Sequence, residues 1–265
     1  MRWTVVLALT LSLAGCGSCD EGGDHAPKPS APPAPPPPPP PGGGSWTTSP
    51  TVPTGSVPPI GVTWHIAITE NVPLSQMQAL YATFVSVNDT IWNISEGQVR
   101  VHKFRIWDNV APGVTASQFM FGAPFDTSNY DVVAFPGASW NVPMGGAVTT
   151  QPGMGRNNRL MIIPTHVSTF VGTHEGGHFL WQLTWSVGAL LVDEYNDGVQ
   201  DAACVMESEN TPYRWCSSGN HASQSSQPQS CWSQILADYP AFSHSGTNTA
   251  ATPAPVPEVE YNDVP

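Results

Sequence analysis

Apolar and polar residues alternate through Val62-Thr63-Trp64-His65-Ile66-Ala67-Ile68, and the β-branched content of this run predicts a strand. After the loop at Asn71-Val72-Pro73 the period changes. Met77, Leu80, Phe84, Val87 and Ile91 recur at helical spacing, which predicts a helix over Leu74 to Ile94. Strands are expected at Gln98 to Ile106, where Val99, Val101 and Phe104 are apolar, and at Tyr130 to Phe135. Glycine and proline dominate Pro136 to Arg156, and Leu160-Met161-Ile162-Ile163 reads as a short buried strand. A second helix follows, with Val167, Phe170 and Val171 on the stripe that continues through His174 and His178 to Trp181, so that both imidazoles point into the fold. The order strand, helix, strand, strand, strand, helix predicts an α/β (α+β) fold in which a twisted mixed sheet packs on the histidine-bearing helix.

The flanking segments cannot contribute a core. Met1 to Gly15 carries Arg2 and then the apolar run Val5 to Leu13, too short to span a bilayer and fitting a secretory signal. Its end, Leu13-Ala14-Gly15-Cys16, resembles a bacterial lipobox, which implies lipidation of Cys16 and display at the outer membrane or cell surface, with the periplasmic side as an alternative. From residue 16 to 59 the chain is rich in proline and glycine, with an unbroken proline run from Pro35 to Pro41, and is expected to be a disordered, semi-rigid stalk. Ile60 to His244 is then one domain, and residues 245 to 265 read as a disordered tail. The formal net charge is −12 with Lys and Arg totalling 8, which argues against nucleic acid as a partner.

The chemistry is concentrated in His174-Glu175-Gly176-Gly177-His178. Residues four apart share a helix face, so the two imidazoles can grip one metal ion while Glu175 holds a carboxylate over the metal-bound water. This is the HExxH pattern of a zinc hydrolase, with His174 and His178 as ligands and Glu175 as the catalytic base. Two ordinary core histidines would not account for Glu175 between them. Nor would they account for Gly176 and Gly177, which cost a helix interior about 1 kcal/mol each and imply that something approaches the backbone closely.

Downstream of the motif stand Phe179-Leu180-Trp181, Asp193-Glu194-Tyr195-Asn196, Cys204-Val205-Met206, Trp215-Cys216, His221, Gln229 and Cys231-Trp232 with Ile235. In this order they resemble the N-terminal metallohydrolase domain of the CLCA family, the calcium-activated chloride channel regulators, and more broadly the zincin and metzincin-like peptidases. The resemblance implies a zincin fold with a smaller irregular C-terminal subdomain, Asp193 as the third zinc ligand and Met206 as a hydrophobic floor under the metal. It also implies an edge strand that binds substrate in extended form, for which Ala147-Val148-Thr149-Thr150 is the candidate. The chain departs from the family by extra residues around Thr184 to Leu191, which lengthen the path to Asp193 and leave Glu194 as an alternative ligand. Tyr195 and His221 are candidates for stabilising an oxyanion.

Five cysteines are present. With Cys16 lipidated, Cys216 and Cys231 are expected to form a disulfide closing a small loop, while Cys19 and Cys204 stay unassigned. The resulting expectation is zinc-dependent hydrolysis of peptide bonds by an exported, lipid-anchored metallopeptidase acting on a polypeptide substrate and tethered to a membrane through its N-terminal anchor. The alternatives are a catalytically silent zincin-fold binding or adhesion module and a zinc hydrolase of a non-peptide amide. An intact Glu175 argues against the silent module, since such a site would be free to lose it.

Overall fold

A computed structural model describes residues 52, 56–120, 125–142, 148–149, 154–157, 159–181, 183, 185–187, 190–192, 204–207, 209, 211–221 and 229–264. The signal segment, Cys16, Cys19 and most of the stalk lie outside the described residues. Everything described belongs to the compact unit Pro39–Pro265.

The alternating run near residue 60 is strand β1 (Ile60–Ile68), and the helical stripe is α1 (Leu74–Ile94). After β2 (Val99–Trp107), a short helix α2 (Ala116–Met120) precedes β3 (Val132–Phe135), β4 (Val148–Thr149) and β5 (Met161–Pro164). Helix α3 (Thr169–Trp181) carries the histidines, a hairpin of β6 (Trp185–Val187) and β7 (Leu190–Val192) follows, and α4 (Cys231–Asp238) and β8 (Glu258–Asn262) complete the order.

Six strands form one mixed α/β sheet in the order β4-β5-β3-β1-β2-β8. Five of them, β5, β3, β1, β2 and β8, run parallel, and β4 lies antiparallel to β5 at the edge. Parallel strands demand cover on both faces, and the side-chain alternation provides it. Trp64, Ile66 and Ile68 of β1, Val132 and Ala134 of β3, and Met161 and Ile163 of β5 join Leu80, Phe84, Val87 and Ile91 of α1 and Phe179 and Leu180 of α3 in one core. Ala67, Val133, Phe135 and Ile162, one position out of phase, face a second core with Phe119 of α2.

Three expectations need correction. Residues 245–264 are part of the fold. β8 pairs with β2 from Lys103↔Glu258 to Trp107↔Asn262, Trp92 Nε1 donates to Thr252 O at 2.8 Å, and Tyr81 Oη donates to Pro257 O at 2.7 Å. The strand adds to an edge of β2 that would otherwise be open, and its Val259 and Tyr261 pack on the first core; that two-residue period was readable behind the Pro and Thr composition. Second, the expected C-terminal subdomain has no core of its own among the described residues after 204. Val205, Met206, Trp215, Trp232, Ile235 and Phe242 are buried in the same core as α1 and α3, where their apolar side chains leave water against those helices. Third, Val52 of the proposed stalk is fully buried in that core, so the folded unit takes in at least one apolar anchor upstream of Ile60.

Candidate functional site

The sequence of α3 is costly as a helix, since it contains Gly172, Gly176 and Gly177. Packing explains each of them. A β-carbon at Gly172 would lie 2.7 Å from Val87 Cγ2, and one at Gly176 would lie 3.3 Å from Ile91 Cδ1. Gly172 and Gly176 therefore form a seam, one turn apart, that lets α1 approach through Val87 and Ile91. Gly177 opens a different side. A β-carbon there would be 2.5 Å from Met206 Sδ, so the methionine that the resemblance puts beneath the metal packs directly on the backbone of the histidine helix.

His174, Glu175 and His178 are all buried in α3. His174 Nδ1 is 3.1 Å from Val205 O, and His178 Nδ1 is bonded to Leu183 O. Each Nδ1 can donate only if it carries the ring proton, which leaves each neutral imidazole with its lone pair on Nε2. The two Nε2 atoms converge to 3.0 Å, with the ring planes at 86°. Two nitrogen ligands at about 2.0–2.1 Å from a tetrahedral zinc lie about 3.3 Å apart, so the pair is spaced to share an ion, and its carbonyl-bound Nδ1 atoms are the orienting partners that metal-ligating histidines use.

Glu175 is held from the sheet. Thr149, on the edge strand β4, lies with its Oγ1 2.7 Å from Glu175 Oε2 and 3.2 Å from Glu175 O, and one hydroxyl proton serves the carboxylate at the shorter distance. The site thus sits beside the sheet edge, between α3 and β4. Arg159 Nη1 donates to His178 O at 3.0 Å and to Phe179 O, placing a cation at the carbonyl end of α3; burial pulls its pKa below the usual arginine value. The sequence offers Thr149 only as part of the candidate substrate edge and does not offer Arg159 at all, because nothing in the local pattern ties a Gly-rich loop to a helix carboxylate 26 residues away.

Asp193, Glu194 and Tyr195 lie outside the described residues. Of the extra residues before them, those of β6 and β7 are described, and the two strands pair antiparallel with Val192 opposite Trp185. Trp185 is two residues beyond Leu183, whose carbonyl holds His178, so the chain at Val192 has returned to where the longer path began.

The expected Cys216–Cys231 disulfide is corrected. The two Sγ atoms stand 3.5 Å apart, well beyond the ~2.05 Å of an S–S bond, because Cys204 enters the same pocket with its Sγ 3.7 Å from that of Cys231. All three are fully buried, their ligand atoms lie within 4.8 Å of one another, and together they can hold a metal ion. Hydrogen bonds with Cys216 and Cys231 hold the Cys204 thiol well below its usual pKa. His221, proposed for the oxyanion, instead has Nδ1 3.5 Å from Cys216 Sγ.

No protein-family model matches the chain, and no curated protein is found similar to it.

Proposed function

We propose that the chain is a zinc-dependent metallopeptidase of zincin type, similar to the metallohydrolase domain of the CLCA family and carried on an exported, lipid-anchored protein. The observation that carries this reading is the convergence of His174 and His178 Nε2 to 3.0 Å on the helix that also bears Glu175. His174, His178 and Asp193 would hold the ion. The β6–β7 hairpin supports Asp193, because it brings the chain back beside Trp185 immediately before that residue.

When bound, zinc supplies Lewis acidity that makes a water molecule acidic near neutral pH and polarises a carbonyl. The chain's own groups do the rest. Glu175, aimed by Thr149, accepts the water proton and passes it to the leaving amine. Val205 O and Leu183 O keep the imidazoles in the ligating tautomer. The edge strand β4 has one side paired to β5, and its other side suits an extended polypeptide that adds to the sheet by backbone hydrogen bonds beside Glu175.

The test is hydrolysis of denatured casein by the purified chain with and without a chelator, alongside Glu175→Gln. The expected result is chelator-sensitive cleavage in the wild type, with zinc retained and cleavage lost in the variant. Zinc content without any cleavage would favour a binding module, and wild-type turnover by Glu175→Gln would remove the mechanism. Titrating zinc into Asp193→Ala and Glu194→Ala identifies the third ligand; if only Glu194→Ala fails to hold the ion, the assignment moves by one residue.

A further inference from the structure

Two residues before Met206, the chain enters a second constellation of soft ligands. Cys204, Cys216 and Cys231 come from three separate segments: the loop that carries Met206, the stretch that follows Arg214, which itself bridges to Cys204, and the first residue of α4. None has any solvent exposure. Their Sγ separations of 3.5 and 3.7 Å fit the geometry of a common ion. Thiolates at about 2.3 Å from a tetrahedral zinc lie about 3.8 Å from one another, and a thiolate and an imidazole on the same ion lie about 3.5 Å apart. The second value is the separation between Cys216 Sγ and His221 Nδ1.

The surrounding backbone favours thiolate over thiol. Cys231 N donates to Cys216 Sγ at 3.2 Å from the first turn of α4, where amide hydrogens point outward and the helix dipole favours negative charge, and Trp232 N donates to Cys216 O at 3.0 Å. A disulfide makes poorer use of the same pocket. It would join two sulfurs and leave the third buried against it, whereas an ion uses all three.

We propose that Cys204, Cys216 and Cys231 form a structural zinc site, distinct from the histidine pair, with His221 beside the fourth position. Binding displaces the thiol protons and ties the Met206 loop to α4. Through Val205 O, which holds His174, this staple also sets the position of an imidazole on α3. The inference does not depend on the peptidase reading, since it rests on other residues and on a different ligand chemistry.

The experiment is metal analysis and cobalt substitution of the full chain, comparing wild type, a His174→Ala/His178→Ala double variant and Cys204→Ser. A cobalt-loaded thiolate site gives an intense sulfur-to-metal charge-transfer band in the near ultraviolet. That band is expected in the wild type and in the double histidine variant, which retains about one ion per chain, and is expected to be lost in Cys204→Ser. Should Cys204→Ser fail to fold, alkylation of the wild type decides: the three thiols are expected to be protected when zinc is bound and to react after chelation. A linked Cys216–Cys231 peptide pair in a non-reducing digest, no charge-transfer band, or equal alkylation with and without metal would each overturn the proposal. Loss of peptidase activity alone would leave the thiolate band in place, so the two readings fail separately.

Discussion

Met206 Sδ occupies the space that a side chain on Gly177 would need, 2.5 Å from where its β-carbon would be. The segment that carries Met206 and the helix that carries the histidines are therefore fitted through a glycine. The same helix meets α1 at Gly172, where the obstructing atom is Val87 Cγ2 at 2.7 Å. The two contacts differ in compliance. A β-branched valine is stiff, whereas a methionine has three rotatable bonds with which to move.

Gly172→Ala is accordingly expected to destabilise the fold more than Gly177→Ala. Alanine returns about 1 kcal/mol of helix propensity at either position, against an overpacking cost of about 1–3 kcal/mol. Urea unfolding should place Gly172→Ala below the wild type by up to about 2 kcal/mol, with partial rescue by Val87→Ala in the double variant. Gly177→Ala should stay nearer the wild type in stability, and under the proposed function it should bind zinc at the histidine pair more weakly. The reverse ranking in stability would mean that Met206 is the more rigid neighbour.

Thr149 holds the Glu175 carboxylate, and under the proposed mechanism its removal should act on the proton-transfer step alone. Thr149→Val keeps the shape and deletes the hydroxyl, and kcat on a casein-derived peptide is expected to fall about tenfold, the equivalent of ~1.4 kcal/mol, with zinc content and KM unchanged. Thr149→Ser should restore most of the rate. An unchanged kcat in Thr149→Val would show that Glu175 is held by other groups.

The C-terminal strand should be required for stability. Ending the chain at His244 removes the β2 pairing of β8, the bonds from Tyr81 and Trp92, and the amides of Ser245, Thr247 and Asn248 that the Glu96 carboxylate accepts. The bonds of Tyr81, Trp92 and the Asn248 amide are part-buried and those of the Ser245 and Thr247 amides exposed, so at about 1 kcal/mol net for each part-buried bond and little for the exposed ones the truncated chain is expected to lose at least roughly 3 kcal/mol before the strand pairing is counted, read as a lower urea midpoint. A midpoint equal to that of the full chain would return residues 245–264 to the status of a tail.

His65 should make the fold acid-sensitive. Burial first, and then the positive charges of Arg156 and Arg105, lower its pKa to about 3, so the imidazole is neutral when folded. An unfolded histidine takes up its proton near pH 6.5. Between pH 6.5 and about 3 the unfolded state thus binds the extra proton, and this contribution to stability is present above that window and is lost as pH falls through it. The limiting slope is about 1.4 kcal/mol per pH unit. His65→Leu should lose stability less steeply than the wild type between pH 6 and 4, as judged by chemical denaturation at each pH. Parallel curves would assign the acid sensitivity to the carboxylates instead.

What could be read along the chain was what depends on near neighbours in sequence. The periods of β1 and α1 set their faces, and the four-residue spacing of His174 and His178 places both imidazoles on one side of α3, because helix geometry is a local property. Even the demand for close packing at Gly176 and Gly177 was legible as a propensity cost, although not its cause. Tertiary structure decided the partners. Ile91 and Met206 fill the space above those glycines, Thr149 reaches Glu175 from the sheet edge, β8 returns to pair with β2, and Cys204 joins Cys216 and Cys231. Each of these contacts joins segments far apart in sequence, where no periodicity carries information and only the burial of two apolar faces against a common sheet brings the side chains together.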